Sequence, residues 1–370
     1  MSGPRYPDLI ADLPATVPFV GPEALERQRG APFRARLGAN ESVFGPSPFA
    51  IAAMQDEAVE IWKYADSSHL DLKGALSEQM GVTPANIVLG SGIDGLLGNF
   101  VRLLVAPGDA VVTSDGAYPT FNYHVAGFGG MLHKVPYKGD HEDPEALIAK
   151  AAEVDAKLIY FANPDNPMGS WHDAGTVQRM IDALPAGCVL ALDEAYADTA
   201  PTGATPPLDL AHPRVIHFRT FSKAYGLAGM RVGYGLAEES FVTAFGKIRN
   251  HFGMGRVAQA AALAALDDQA YLAETVARIA QSRDRIAQIA RDNGLSPLPS
   301  ATNFVTIDCG GDGDFARAVL ASLVDQGVFV RMPFTAPQDR CIRVSCAPVD
   351  VLEAFAKALP IALKAAGASD

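Results

Sequence analysis

Lys157-Leu158-Ile159-Tyr160-Phe161-Ala162-Asn163-Pro164-Asp165-Asn166-Pro167-Met168-Gly169 places an unbroken apolar run directly before a loop of Asn and Pro. A short apolar run ended by turn residues reads as a buried strand. The form returns on both sides of it. Candidate strands fall at 86–90, 110–113, 131–135, 157–162, 188–193, 215–219 and 231–236, with longer amphipathic stretches between them. That alternation predicts an α/β fold: a seven-stranded, mainly parallel sheet covered by helices.

A long helical pattern follows from 268 to 293, with Leu272, Val276, Ile279, Ile286 and Ile289 on one stripe and Gly294 as terminator. It leads into further candidate strands at 303–308, 327–331 and 341–345, between amphipathic helices near 313–326 and 349–366. With 370 residues, two cores are expected. The predicted division is an N-terminal arm over 1–40, which joins the smaller unit or reaches a partner subunit, a large domain over 41–260 and a small C-terminal domain over 261–370. A net charge of −12 argues against a nucleic-acid or anionic-membrane partner. No apolar stretch approaches a membrane span and the N-terminus lacks a signal-peptide core, so a cytoplasmic location is expected. Cys188, Cys309, Cys341 and Cys346 are scattered and are read as reduced, buried thiols, with no metal site expected.

Gly90-Ser91-Gly92-Ile93-Asp94-Gly95 lies between a strand and a helix, with Asp115 twenty residues beyond Gly95. On pattern alone this is a dinucleotide site, and an NAD(P)-binding oxidoreductase is one reading. The underlying physics is broader, because a glycine turn at a helix N-terminus presents N–H groups to any phosphate.

Ligands in open α/β sheets gather at the carboxyl ends of strands, and several segments here end with unusual polar groups. The 189–193 run delivers Asp193-Glu194-Ala195-Tyr196, and Thr220-Phe221-Ser222-Lys223 is followed, eight residues past the amine, by Arg231. Cys341-Ile342-Arg343-Val344-Ser345 carries an arginine in a strand interior. Taken together the chain resembles the fold-type I pyridoxal-phosphate aminotransferases, and within them the histidinol-phosphate aminotransferases, from about Phe19 to Arg343.

The resemblance implies a large three-layer αβα domain plus a smaller α+β domain, and pyridoxal 5'-phosphate as cofactor. It makes Lys223 the Schiff-base lysine and proton shuttle, and Asp193 the partner of the pyridine nitrogen. Asn166 and Tyr196 would meet the ring's phenolic oxygen, and Tyr118 would stack on the ring. The phosphate would be held around Ser91, Gly92, Ile93, Asp94 and Gly95, by Thr220, Ser222 and Arg231, and by Tyr64 from a neighbouring subunit. Arg343 would grip the substrate carboxylate with Asn40 beside it. Arg331 and Phe19 would lie near the substrate side chain, Arg331 toward a distal phosphate.

Some positions depart from the family pattern. The glycine turn lacks one side-chain hydroxyl for the phosphate. Phe19 stands where a tyrosine is usual, Met168 replaces the usual threonine, and the segment after Arg343 reads Val344-Ser345-Cys346-Ala347-Pro348. These changes bear on substrate more than cofactor. The expected activity is a ping-pong transfer between an amino donor and 2-oxoglutarate in histidine biosynthesis. An aromatic amino acid, or a decarboxylase or lyase reaction on the same fold, stands as the alternative. A homodimer is expected.

Overall fold

The computed structural model describes residues 3–11, 13–14 and 20–367. Its strands, in chain order, are β1 Ala35–Arg36, β2 Ile87–Ser91, β3 Ala110–Ser114, β4 Met131–Val135, β5 Leu158–Ala162 and β6 Val189–Asp193, then β7 Val215–Thr220, β8 Val232–Leu236, β9 Ser296–Pro297, β10 Phe304–Asp308, β11 Val328–Phe329 and β12 Cys341–Ser345. Seven of them form one sheet in the order β2-β8-β7-β6-β5-β3-β4. Only β8 runs against the rest, pairing antiparallel with β2 and with β7.

Strand β5 shows why its apolar run does not alternate. Leu158, Tyr160 and Ala162 enter one hydrophobic cluster, and Ile159 and Phe161 enter another on the opposite face. With helices on both faces, neither face meets water, so every position is apolar. Burying each large side chain contributes roughly 1.5–3 kcal/mol relative to leaving it exposed.

The long helix spans Gln269–Asp292. Asp268 caps its start by accepting from the Tyr271 N–H at 3.2 Å. At its end Gly294 lies at φ 75°, and the Leu295 N–H returns to the Ala290 carbonyl at 3.0 Å. Beyond it, β10 pairs antiparallel with β9 and β12 in a three-stranded sheet.

The expected strand at 327–331 is shorter than predicted and does not join that sheet. Val328 and Phe329 pair in parallel with Ala35 and Arg36, so the N-terminal segment captures them. A single bridge between Arg331 and Arg343 links the pair to β12. Among the described residues no helix is long and apolar enough to cross a membrane, and all four cysteines are buried and unpaired.

Candidate active site

Strands β5, β6 and β7 end side by side, and an open cavity at their carboxyl edge is lined by Tyr118, Asn166, Asp193, Tyr196, Ser222, Lys223 and Arg231 among others. Asp193 is the last residue of β6 and is buried. Its carboxylate accepts from the Tyr160 hydroxyl at 2.6 Å and from the Ala195 N–H at 2.9 Å. Burial raises its pKa, while those two donors and the Lys223 ammonium oppose the rise.

Lys223 follows β7. Its Nζ donates to the Asn40 carbonyl at 3.1 Å and sits 5.6 Å from the Tyr196 ring centroid. Burial, then the positive charges of Arg343 and Arg231, push its pKa down to about 8. The amine is therefore still mostly an ammonium at pH 7, with a fraction of about a tenth uncharged.

Asn40, in the left-handed region at φ 54°, ties three segments together. Its amide side chain donates to the Tyr196 hydroxyl at 2.9 Å, its N–H donates to the Ser345 hydroxyl at 3.0 Å, and its carbonyl also receives the Asn303 amide at 2.9 Å.

At the far end of the cavity an anion cradle meets the start of the helix Gly92–Leu104. Gly92 lies at φ 74°, and a Cβ there would stand 2.5 Å from Arg231 Nη2, so only glycine admits the guanidinium this close. Arg231, itself at φ 55°, donates to the Ser222 hydroxyl at 3.4 Å and to the Ala228 carbonyl at 3.1 Å. Thr220 donates to Ser222 Oγ at 3.0 Å. A helix N-terminus, a guanidinium and two hydroxyls form a fitting receptor for a cofactor phosphate. The buried carboxylate and amine lie in the same cavity as this receptor.

A second cavity shares Tyr118, Asn166 and Lys223 with the first and adds Asn40, Arg331, Phe334 and Arg343. Arg343 donates through Nη1 to Asn166 Oδ1 and through Nη2 to the Gly38 carbonyl at 3.1 Å. Its buried Nε has no hydrogen-bond partner among the described residues, which leaves a donor for a substrate carboxylate. Burial and the neighbouring Arg331 lower its pKa to about 10, so it stays charged. Arg331 donates to the Val20 carbonyl at 2.8 Å.

Several expected residues fall elsewhere. The Ser91 hydroxyl donates to the Gly253 carbonyl at 2.8 Å, and none of Ser91, Gly92 and Gly95 lines the cavity, whereas Ile93 and Asp94 do. The helix already begins at Gly92, which turns the Ser91 side chain outward. Asn166 and Tyr196 line the cavity, with Arg343 and Asn40 as their partners in this chain. Tyr64 is exposed and leans on Phe252, with ring centroids 5.1 Å apart, away from this chain's own cavity. Phe19 lies outside the described residues.

Four contributors escaped sequence reasoning: Tyr160 beneath Asp193, Asn303 on Asn40, and the buried carboxyls of Asp165 and Glu142. A hydroxyl inside the apolar run 157–162 was the one local signal for Tyr160. The others act through contacts that no short segment contains.

The family model for aminotransferase class I and II matches residues 35–359. A histidinol-phosphate aminotransferase of Anaeromyxobacter sp. (strain Fw109-5) is 36% identical over 89% of this chain and 90% of its own. An aromatic amino acid aminotransferase of Mycolicibacterium paratuberculosis is 33% identical over 91% of this chain and 96% of its own. The crystal structure of histidinol-phosphate aminotransferase from Sinorhizobium meliloti in complex with pyridoxal-5'-phosphate superimposes with a TM-score of 0.96, at 55% identity over 98% of each chain.

Proposed function

Because this chain belongs to the class I and II aminotransferases, we propose that it binds pyridoxal 5'-phosphate and moves the amino group of histidinol phosphate to 2-oxoglutarate. One observation carries the reading: Lys223, Asp193 and the Arg231 cradle line a single cavity, and a second cavity that shares Tyr118, Asn166 and Lys223 with it is lined by two arginines.

When bound, the cofactor supplies an electron sink for charge that develops at the substrate α-carbon. The residues of this chain do the rest. Lys223 would hold the cofactor covalently through Nζ and, once released, would carry a proton on that atom. Its pKa near 8 suits both directions of transfer. Asp193 would keep the ring nitrogen protonated, with Tyr160 holding the carboxylate in place. Tyr118 would cover one ring face, and Asn166 and Tyr196 would face the phenolic oxygen. Gly92, Ile93, Asp94, Thr220, Ser222 and Arg231 would surround the phosphate. Arg343 would orient the substrate carboxylate with Asn40 beside it, and Arg331, in the same cavity, would meet the anion at the far end of the substrate.

The aromatic amino acid reading keeps one specific support: Phe334 lines the second cavity together with Met332 and Pro333, an apolar wall suited to a ring without a phosphate. A homodimer fits the exposed Val59, Ile61, Trp62 and Tyr64, a run that water would not favour on a monomer, and it would bring Tyr64 to the neighbouring site. The division into units is supported by the cores. One cluster takes Ala35, Leu37 and residues 279–362, and the other three take residues between 50 and 266.

The test is a visible spectrum of the purified protein with each amino donor in turn, beside Lys223→Ala. A yellow band that bleaches with histidinol phosphate and returns with 2-oxoglutarate supports the reading. Bleaching by phenylalanine but not by histidinol phosphate selects the aromatic alternative. A protein that takes up no pyridoxal phosphate overturns both.

A further inference from the structure

Beside the edge strand β2, a cavity of about 340 Å³ lies between the helices Leu70–Met80 and Glu239–Gly246. Three basic side chains line it, His69, Lys73 and Arg249, with Val88 and Leu89 as its apolar floor. His69 is only 4% exposed, and its Nε2 is buried with no hydrogen-bond partner among the described residues. It is held there at φ 56°, a conformation that costs a non-glycine residue energy. Arg249 spends Nη2 on the Ser67 carbonyl at 2.7 Å, while its Nη1 is likewise buried and unpartnered among the described residues.

Two carboxylates lie nearby, and neither satisfies these donors. Asp66 is engaged by the Ser68 hydroxyl and N–H and by the Leu70 N–H, at 2.7, 2.9 and 2.8 Å. Glu239 is exposed at the rim. Asp66 offsets part of the positive charge around His69 and Arg249, but their buried donors remain expensive unless something accepts from them.

We propose that this cavity is an anion site distinct from the cofactor and substrate cavities, which takes a tetrahedral oxyanion such as inorganic phosphate. The anion accepts from His69 Nε2–H and Arg249 Nη1–H and neutralises Lys73. An imidazole facing two cations stays neutral, and burial with those charges lowers the His69 pKa to about 4, so it serves as a donor without adding charge. The bound anion fastens the start of the helix Leu70–Met80 to the segment around Arg249. The same two segments carry Tyr64 and Phe252, so the site braces the exposed surface they share.

The test titrates the cofactor-loaded enzyme with inorganic phosphate against chloride at equal ionic strength. It follows the His69 ring resonances by NMR, assigned by their absence in His69→Asn. A saturable shift is expected, with affinity weakened about tenfold or more in Lys73→Met and in Arg249→Met. It should be unchanged in Arg331→Met, which alters the substrate cavity. If either cavity variant loses the cofactor's visible band, Lys73→Gln and Arg249→Gln replace it. No saturable shift, or one that disappears only in Arg331→Met, overturns the proposal.

Discussion

Replacing Asp165 by asparagine should flatten the dependence of stability on pH. The Asp165 carboxyl accepts from the Tyr137 hydroxyl at 3.0 Å and from the Met168 N–H at 3.0 Å, and its titration is tied to the neighbouring Glu142 carboxyl. Glu142 accepts in turn from the Ser114 hydroxyl at 2.6 Å and from the Ala162 N–H at 3.0 Å. Burial and the adjacent Asp165 charge hold Glu142 well above the carboxylate range, and burial pushes Asp165 up to about 7. An unfolded chain releases the Asp165 proton near pH 3.8, whereas the folded chain keeps it to about 7. The folded state therefore binds the extra proton within that window, so stability falls as pH rises through it and levels off above. At roughly 1.4 kcal/mol for each pH unit, the Asp165 proton accounts for a loss of roughly 2–3 kcal/mol between pH 5 and pH 8. The amide carries no such proton and can still accept from the Met168 N–H and donate to Glu142. Urea unfolding followed by circular dichroism at several pH values measures the difference. The variant should gain on the wild type by that amount across the window. Parallel stability curves for the two proteins would refute the account of a proton retained by Asp165.

Lys223→Ala should lower transamination at least about a hundredfold, the usual scale for a lost proton-transfer group, while circular dichroism stays unchanged. Tyr160→Phe removes the 2.6 Å donor to Asp193. Losing a hydrogen bond to a charged group costs roughly 1.5–3 kcal/mol, to be read as a reduced kcat with cofactor still bound. Gly92→Ala drives a methyl against Arg231, 2.5 Å from Nη2, and should weaken pyridoxal phosphate retention on dialysis by about tenfold or more. Arg343→Lys loses the bidentate fork, so KM for the amino acid should rise about tenfold or more.

Most of the main sheet was legible because its inner strands are buried on both faces and its strands are bounded by turn residues: each of the seven lies within a residue or so of its expected place. The strand expected at 327–331 was misplaced because pairing partners are chosen by tertiary contacts. Nothing within that segment announces Ala35 and Arg36. The site followed the same rule. Lys223, Asp193 and Arg231 could be picked out because charged groups beside strand ends are conspicuous in an apolar chain, and Arg343 because it stands inside an otherwise apolar strand. Glu142 and Asp165 could not, because each looks like a solvated loop carboxylate until the fold buries it. The resemblance put Ser91 among the residues around the phosphate, and the turn aims its hydroxyl at Gly253.

Strand β8 alone runs against its neighbours, and that has a consequence for when the protein becomes competent. The end of β2, from which Gly92 leads into its helix, lies against the beginning of β8, next to Arg231: Ser91 pairs with Val232. The two halves of the anion cradle are thus about 140 residues apart in the chain and meet only when β8 slots between β2 and β7. During synthesis, residues 110–220 can assemble their parallel strands with Asp193 in place and still lack a grip on phosphate. Pairing so distant in sequence is slow, so cofactor capture becomes a late checkpoint, passed only by chains whose edge strand has been locked in from the far side.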